Sequence, residues 1–126
     1  MADHRDLARE LLARARDDEL AAQALLRVGE VSDVIVAFHA QQAVEKALKA
    51  ALASIGAEFP FTHDLGLLMQ LCEDADLDLP NSLAEADLLT PYAAQLRYGS
   101  SQSATVSRAQ ALEFAIEARS WAASLV

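Results

Sequence analysis

Four side chains able to bind or move charge recur at a helical interval in one short stretch of this chain: His39, Gln42, Lys46 and Lys49. At about 100° per residue they fall within roughly a quarter of a helical circle. An imidazole can donate to a phosphate or carry a proton, a carboxamide donates and accepts, and two ammonium groups attract an anion. The row therefore reads as a modest anion site, with a solvated charged stripe as the plainer alternative. Two further polar residues leave the same segment in another direction. Gln41 projects into the apolar arc between Leu48 and Leu52, and Glu45 sits at the edge of that arc beside Phe38. If the arc is core, both need hydrogen-bond partners, which makes them candidates for internal polar support.

The elements that must carry these residues follow from apolar periodicity. Leu7, Ala8, Leu11, Leu12, Ala15, Ala22, Leu25 and Leu26 predict a first helix from about His4 to Val28, ended by Gly29. Asp18 and Glu19 lie within its apolar arc, so at least one carboxylate is expected to face another helix. A second helix runs from about Val31 to Ile55 and stops at Gly56. The short connection makes the two antiparallel neighbours. Glu58-Phe59-Pro60-Phe61 is a non-helical link. Thr62 is a suitable N-cap for a helix carrying Leu65, Leu68, Met69 and Cys72, with Asp64 placed to suit its dipole.

Asp74 to Pro80 reads as an acidic loop, and Ser82-Leu83-Ala84-Glu85 has the form of a capping box. Thr90-Pro91 predicts a kink or break, and the Ser- and Gly-rich run from Tyr98 to Thr105 a loop. The last helix, about Val106 to Leu125, has one apolar face of Ala111, Phe114, Ala118, Trp121 and Leu125. A smaller face carries Ala109, Leu112 and Ile116. Two faces imply two packing partners, and the surplus apolar surface here and on the second helix predicts self-association.

A chain of 126 residues fits a single domain, 1–126, with a real core. Abundant alanine and leucine, four glycines and three prolines favour an all-α fold over a sheet. A net charge of -9 opposes non-specific attraction to nucleic-acid phosphates. Any RNA contact would have to use a local patch, drawn from Arg5, Arg9, Arg14, Arg16, Lys46 and Lys49. The lone Cys72 has no internal disulfide partner and no metal-ligand set around it, and reads as a small core residue. No apolar run approaches the roughly 20 residues that span a bilayer, and the N-terminus lacks a signal-peptide core, so no membrane role and a cytoplasmic location are expected. A dinucleotide or phosphate-binding glycine loop, a di-iron Glu-x-x-His pair and a zinc set are all missing from the sequence, and no cofactor is expected.

The order of Ser32-Asp33, then Ala37-Phe38-His39-Ala40-Gln41-Gln42-Ala43-Val44-Glu45-Lys46-Ala47-Leu48-Lys49-Ala50, resembles the HEPN family of small helical domains. Phe59-Pro60-Phe61-Thr62-His63-Asp64-Leu65 and Leu89-Thr90-Pro91-Tyr92 through Leu96-Arg97-Tyr98 extend the resemblance over nearly the whole chain. It implies an up-and-down four-helix bundle with an additional short helix, usually a homodimer. It also implies a minimal nucleotidyltransferase partner, often in a toxin-antitoxin pair, and a nucleotide or RNA as ligand. Many members are metal-independent ribonucleases that use an Arg, four to six intervening residues and a His at the dimer interface.

This chain departs from that motif, because Arg97 is followed by Tyr98-Gly99-Ser100-Ser101-Gln102-Ser103-Ala104 with no histidine. The resemblance thus favours a binding module. The alternatives are a ribonuclease whose missing histidine is replaced by His39 or His63, or a ligand-free scaffold. Arg97 could hold a phosphate or pair with Asp18 or Glu45, and Tyr98 could accept a nucleotidyl group from the partner enzyme. Tyr92 reads as ordinary packing. The ligand set on this reading is His39, Gln42, Lys46, Lys49, Arg97 and Tyr98, supported from within by Asp18, Gln41 and Glu45. His63-Asp64 is either a polar pair at a pocket mouth or the first-turn chemistry of the third helix.

Overall fold

A computed structural model describes residues 3–95 and 105–126. Every regular element among them is helical: α1 (His4–Leu25), α2 (Asp33–Ser54), α3 (Leu65–Asp74), α4 (Tyr92–Gln95) and α5 (Arg108–Leu125), with two 3-10 turns at Asn81–Leu83 and Ala86–Leu89. This is the expected all-α arrangement, four helices of more than two turns and a short extra one.

Capping explains where the long helices begin. The Asp3 carboxylate accepts from the Arg5 and Asp6 amides while the Asp6 carboxylate accepts from the Asp3 amide, a reciprocal pair that satisfies otherwise orphaned donors of α1. Ser32 and Ser107 cap α2 and α5 through their hydroxyls.

The second helix is the central rod, packed against α1, α3, α4 and α5. Its Val44, Leu48 and Leu52 meet Leu65, Leu68 and Cys72 of α3 and Phe114 and Ala118 of α5 in the main core. A smaller cluster gathers Ala22, Val36 and Leu112 with Leu26, Val31 and Ile116. That cluster alters one expectation. The second apolar face of α5 finds its partner inside the chain, because Leu112 is buried and Ile116 packs on Ala22 and Val36 rather than awaiting another subunit. Only Ala109 of that face stays exposed. The wide apolar arc of α2 is likewise used by its four helical neighbours, so surplus apolar area does not by itself call for self-association.

Three boundaries differ from those predicted. The first helix ends at Leu25 rather than Val28 because the carbonyls that follow are taken by Arg108, whose guanidinium donates to Leu25, Leu26, Val28 and Val31 and pairs with Asp33 at 2.7 Å. The N-cap of α3 is Asp64, not Thr62: it directly precedes Leu65, has extended backbone and accepts from the Leu67 amide. Thr62 acts one step earlier, accepting from the Asp64 amide. The supposed capping box at Ser82 makes no side-chain cap bond, and the segment forms 3-10 turns instead. Leu83, Ala86 and Leu89 are buried, and a spacing of three places them on one face of a helix with three residues per turn.

The predicted break at Pro91 falls between the second 3-10 turn and α4, where the Thr90 hydroxyl accepts from the Leu65 amide. Tyr92 is buried, and its phenol oxygen accepts from the Thr105 amide at 2.7 Å, tying the start of the chain's return toward α5 to α4. No helix among the described residues is long and apolar enough to cross a membrane.

Candidate functional site

The polar row on α2 is not a solvated stripe. Lys46 donates to Asp18 on α1 at 2.5 Å and its side chain is 24% exposed, while Lys49 donates to Glu45 one turn back at 2.9 Å and is 13% exposed. A glutamate four residues before a lysine is the favoured order for such a pair. Asp18 also faces His39, whose Nδ1 lies 3.6 Å from Oδ1. That separation is too long for a hydrogen bond. His39 Nδ1 is buried without a hydrogen-bond partner among the described residues. Its ring meets Phe38 edge-on, with centroids 5.3 Å apart.

Glu45 organises the other half of the row. Its side chain is 6% exposed, and Oε1 accepts from His63 Nδ1 at 2.7 Å and from Gln41 Nε2 at 3.1 Å, while Oε2 accepts from Lys49. An ionised carboxylate only accepts, so the imidazole proton facing it resides on Nδ1. Gln41 also donates to the His63 carbonyl at 3.3 Å, and its own side-chain oxygen accepts from Gln42 at 2.7 Å. Burial alone would push the Glu45 carboxyl up. The donors His63, Lys49 and Gln41 outweigh burial and hold it below its ordinary value.

The structure therefore has Gln42, Lys46 and Lys49 of α2 divided between two bonded sets, with His39 beside the first of them but not hydrogen-bonded to it. One set is anchored by Asp18 and the other by Glu45 and Gln41. The demand for internal partners at Gln41 and Glu45 is met by each other, by Gln42 and Lys49 of α2 and by His63 in the link before α3. Arg97 and Tyr98 lie outside the described residues.

His63 was one half of a paired expectation with Asp64, and the structure separates the two. Asp64 caps α3, whereas His63 reaches back to Glu45. Sequence reasoning did not connect His63 to Glu45, because the irregular link between them carries no period. Its signal was indirect: a buried glutamate that needed a donor.

A second polar knot lies between α1 and α5. Glu19 is buried, accepts two bonds from Arg119 at 2.8 and 3.3 Å, and pairs with Arg16. Burial pushes the Cys72 thiol up to about 12, with Glu73 adding to the effect, so it is a packed side chain and not a nucleophile. A cleft of about 590 Å³ is lined by Ser82, Glu85, Leu88, Ser107, Gln110 and Phe114 among others and contains none of the polar α2 residues. Among the described residues no group of three or more His, Cys, Asp or Glu side chains is disposed to hold a metal ion.

Comparison with known proteins agrees with the geometry. The family model described as HEPN domain matches residues 8–125. The crystal structure of TT1696 from Thermus thermophilus is similar over 94% of this chain and 98% of that one, with a TM-score of 0.75 and 26% sequence identity. No curated protein matches the chain.

Proposed function

On the premise that this chain belongs to the HEPN family, we propose that it is a binding module for a nucleotide or an RNA segment, working as a homodimer beside a minimal nucleotidyltransferase in a toxin-antitoxin-like pair. The ligand contacts on this reading are His39, Gln42, Lys46 and Lys49, joined by Arg97 and Tyr98. The observation that supports it is the anchoring of both ammonium groups, Lys46 by Asp18 and Lys49 by Glu45. Anchoring lowers the entropy lost when an anion arrives, and each ammonium has three donors of which one is spent among the described residues. The carboxylates also moderate the attraction, which suits a chain with a net charge of -9 that must not bind polyanions at large.

Calorimetric titration with ATP and with a short single-stranded RNA tests this reading. Binding to the parent protein should weaken by at least about tenfold in the His39→Ala, Arg97→Ala double variant, as expected for the loss of two polar contacts to charged groups. Equal affinities would remove these residues from the site. RNA recovered intact after incubation in EDTA separates binding from cleavage. Light scattering of the free protein and of its mixture with a minimal nucleotidyltransferase tests the dimer and the partner.

A further inference from the structure

His63 combines features that the binding reading does not use. Its Nδ1 is held 2.7 Å from the Glu45 carboxylate, its side chain is 60% exposed, and the remaining bonds of that carboxylate, to Gln41 and Lys49, fix it in place. The Nδ1 proton leaves the lone pair on Nε2, the nitrogen farther from the carboxylate. His63 also directly precedes Asp64, whose carboxylate is turned to capping α3, where it accepts from the Leu67 amide. An imidazole with one nitrogen bonded to a buried carboxylate and the other unbonded among the described residues is a positioned nucleophile, as in enzymes where a carboxylate holds the tautomer and stabilises the charge the ring acquires.

We propose that His63 is a phosphoryl-acceptor site, modified at Nε2 by a small acyl phosphate. The Nε2 lone pair attacks phosphorus, the bond from phosphorus to the acyl oxygen breaks, and the carboxylate product leaves with that electron pair. The ring keeps its Nδ1 proton and becomes a cation facing Glu45, which neutralises it. Glu45 is a positioning residue, acting through His63 and not touching the donor. The proposal stands apart from nucleotide or RNA binding, since His63 is outside that ligand set, and either can fail alone.

The chain carries its own reference. His4, the first residue of α1, is exposed and makes no bond to a carboxylate among the described residues, so it reports the rate of a histidine at a helix start without a carboxylate partner. Incubation with acetyl phosphate, followed by peptide mass spectrometry at alkaline pH, gives the rate at each histidine. Phosphorus and nitrogen NMR give the ring position. His63 should be modified roughly five times faster than His4, the factor that a partly exposed charge-assisted hydrogen bond supplies. Its product should be the Nε2 isomer alone, and Glu45→Gln should bring its rate down to that of His4. Equal rates at the two histidines, an Nδ1 product, an unchanged rate in Glu45→Gln, or no modification would each overturn the proposal. Should Glu45→Gln not fold, the rate ratio and the isomer in the unmodified sequence decide the matter.

Discussion

Glu19 and Glu45 are carboxylates of the same type at almost the same depth, and they hold different company. Glu19 is clasped by two arginines, Arg16 on its own helix and Arg119 on α5. Guanidinium stays charged at any pH a folded protein meets, so that knot is a fixed strut between α1 and α5. Glu45 is clasped by an exposed imidazole, a lysine and a carboxamide that belong to α2 and the link before α3. One of those partners, the His63 imidazole, opens to solvent. Depth alone thus does not separate architecture from chemistry. The nature of the partners, and whether one of them reaches water, does.

The strongest way to break this comparison is Glu19→Ala. It leaves Arg119, whose side chain is 24% exposed, beneath the helix interface without its carboxylate. The expected loss is about 2–3 kcal/mol in urea unfolding, somewhat below the range for a fully buried pair because Arg119 keeps some access to water. A loss indistinguishable from that of an exposed surface pair would mean the knot is no strut.

Next in size is Glu45→Gln, expected to cost about 1–2 kcal/mol, since a carboxamide keeps one acceptor but leaves Lys49 without a counter-charge. The Glu45 knot also has an acid response. The folded structure holds the Glu45 carboxyl below its ordinary value of 4.5, so its ionised form contributes stability that is fully present above that pH and is lost as pH falls through the lower folded value. Urea midpoints for the parent and for Glu45→Gln should therefore draw together on acidification below 4.5. A constant gap would show that the carboxylate is not the group being titrated.

How much of this was legible in the sequence depends on whether a regular period carried the information. Helical phase placed Gln41 and Glu45 against the core and required partners for them, and it put at least one of Asp18 and Glu19 toward another helix. The structure agrees, because each of these expectations concerns the direction of a side chain from a single rod. The identity of the partners was not legible. His63 reaches Glu45 from an aperiodic link, and Lys46 looked solvent-facing because a one-helix wheel does not show α1 lying over it. Two arginines did leave traces. Arg119 continues the line of the buried residues Leu112, Ala115 and Ala122 at helical spacing. Arg108 opens α5, a position where a cation opposes the helix dipole unless carbonyls from elsewhere claim it, as those after α1 do. The candidate site was half visible for the same reason: its α2 residues share a period, whereas His63 does not.

The smallest effect sharpens the comparison most. His63→Ala removes one bond from Glu45 but leaves Gln41 and Lys49 in place, and the imidazole is more than half exposed. Screening by water limits its worth to about 0.5 kcal/mol. A double-mutant cycle with Glu45→Gln should return a coupling of that order, since the two side chains share a hydrogen bond. The same cycle between His63→Ala and Glu19→Ala should give none, because no partner is common to the two knots. Coupling across that second pair would mean that strut and site are one network, and the distinction drawn from their partners would fall.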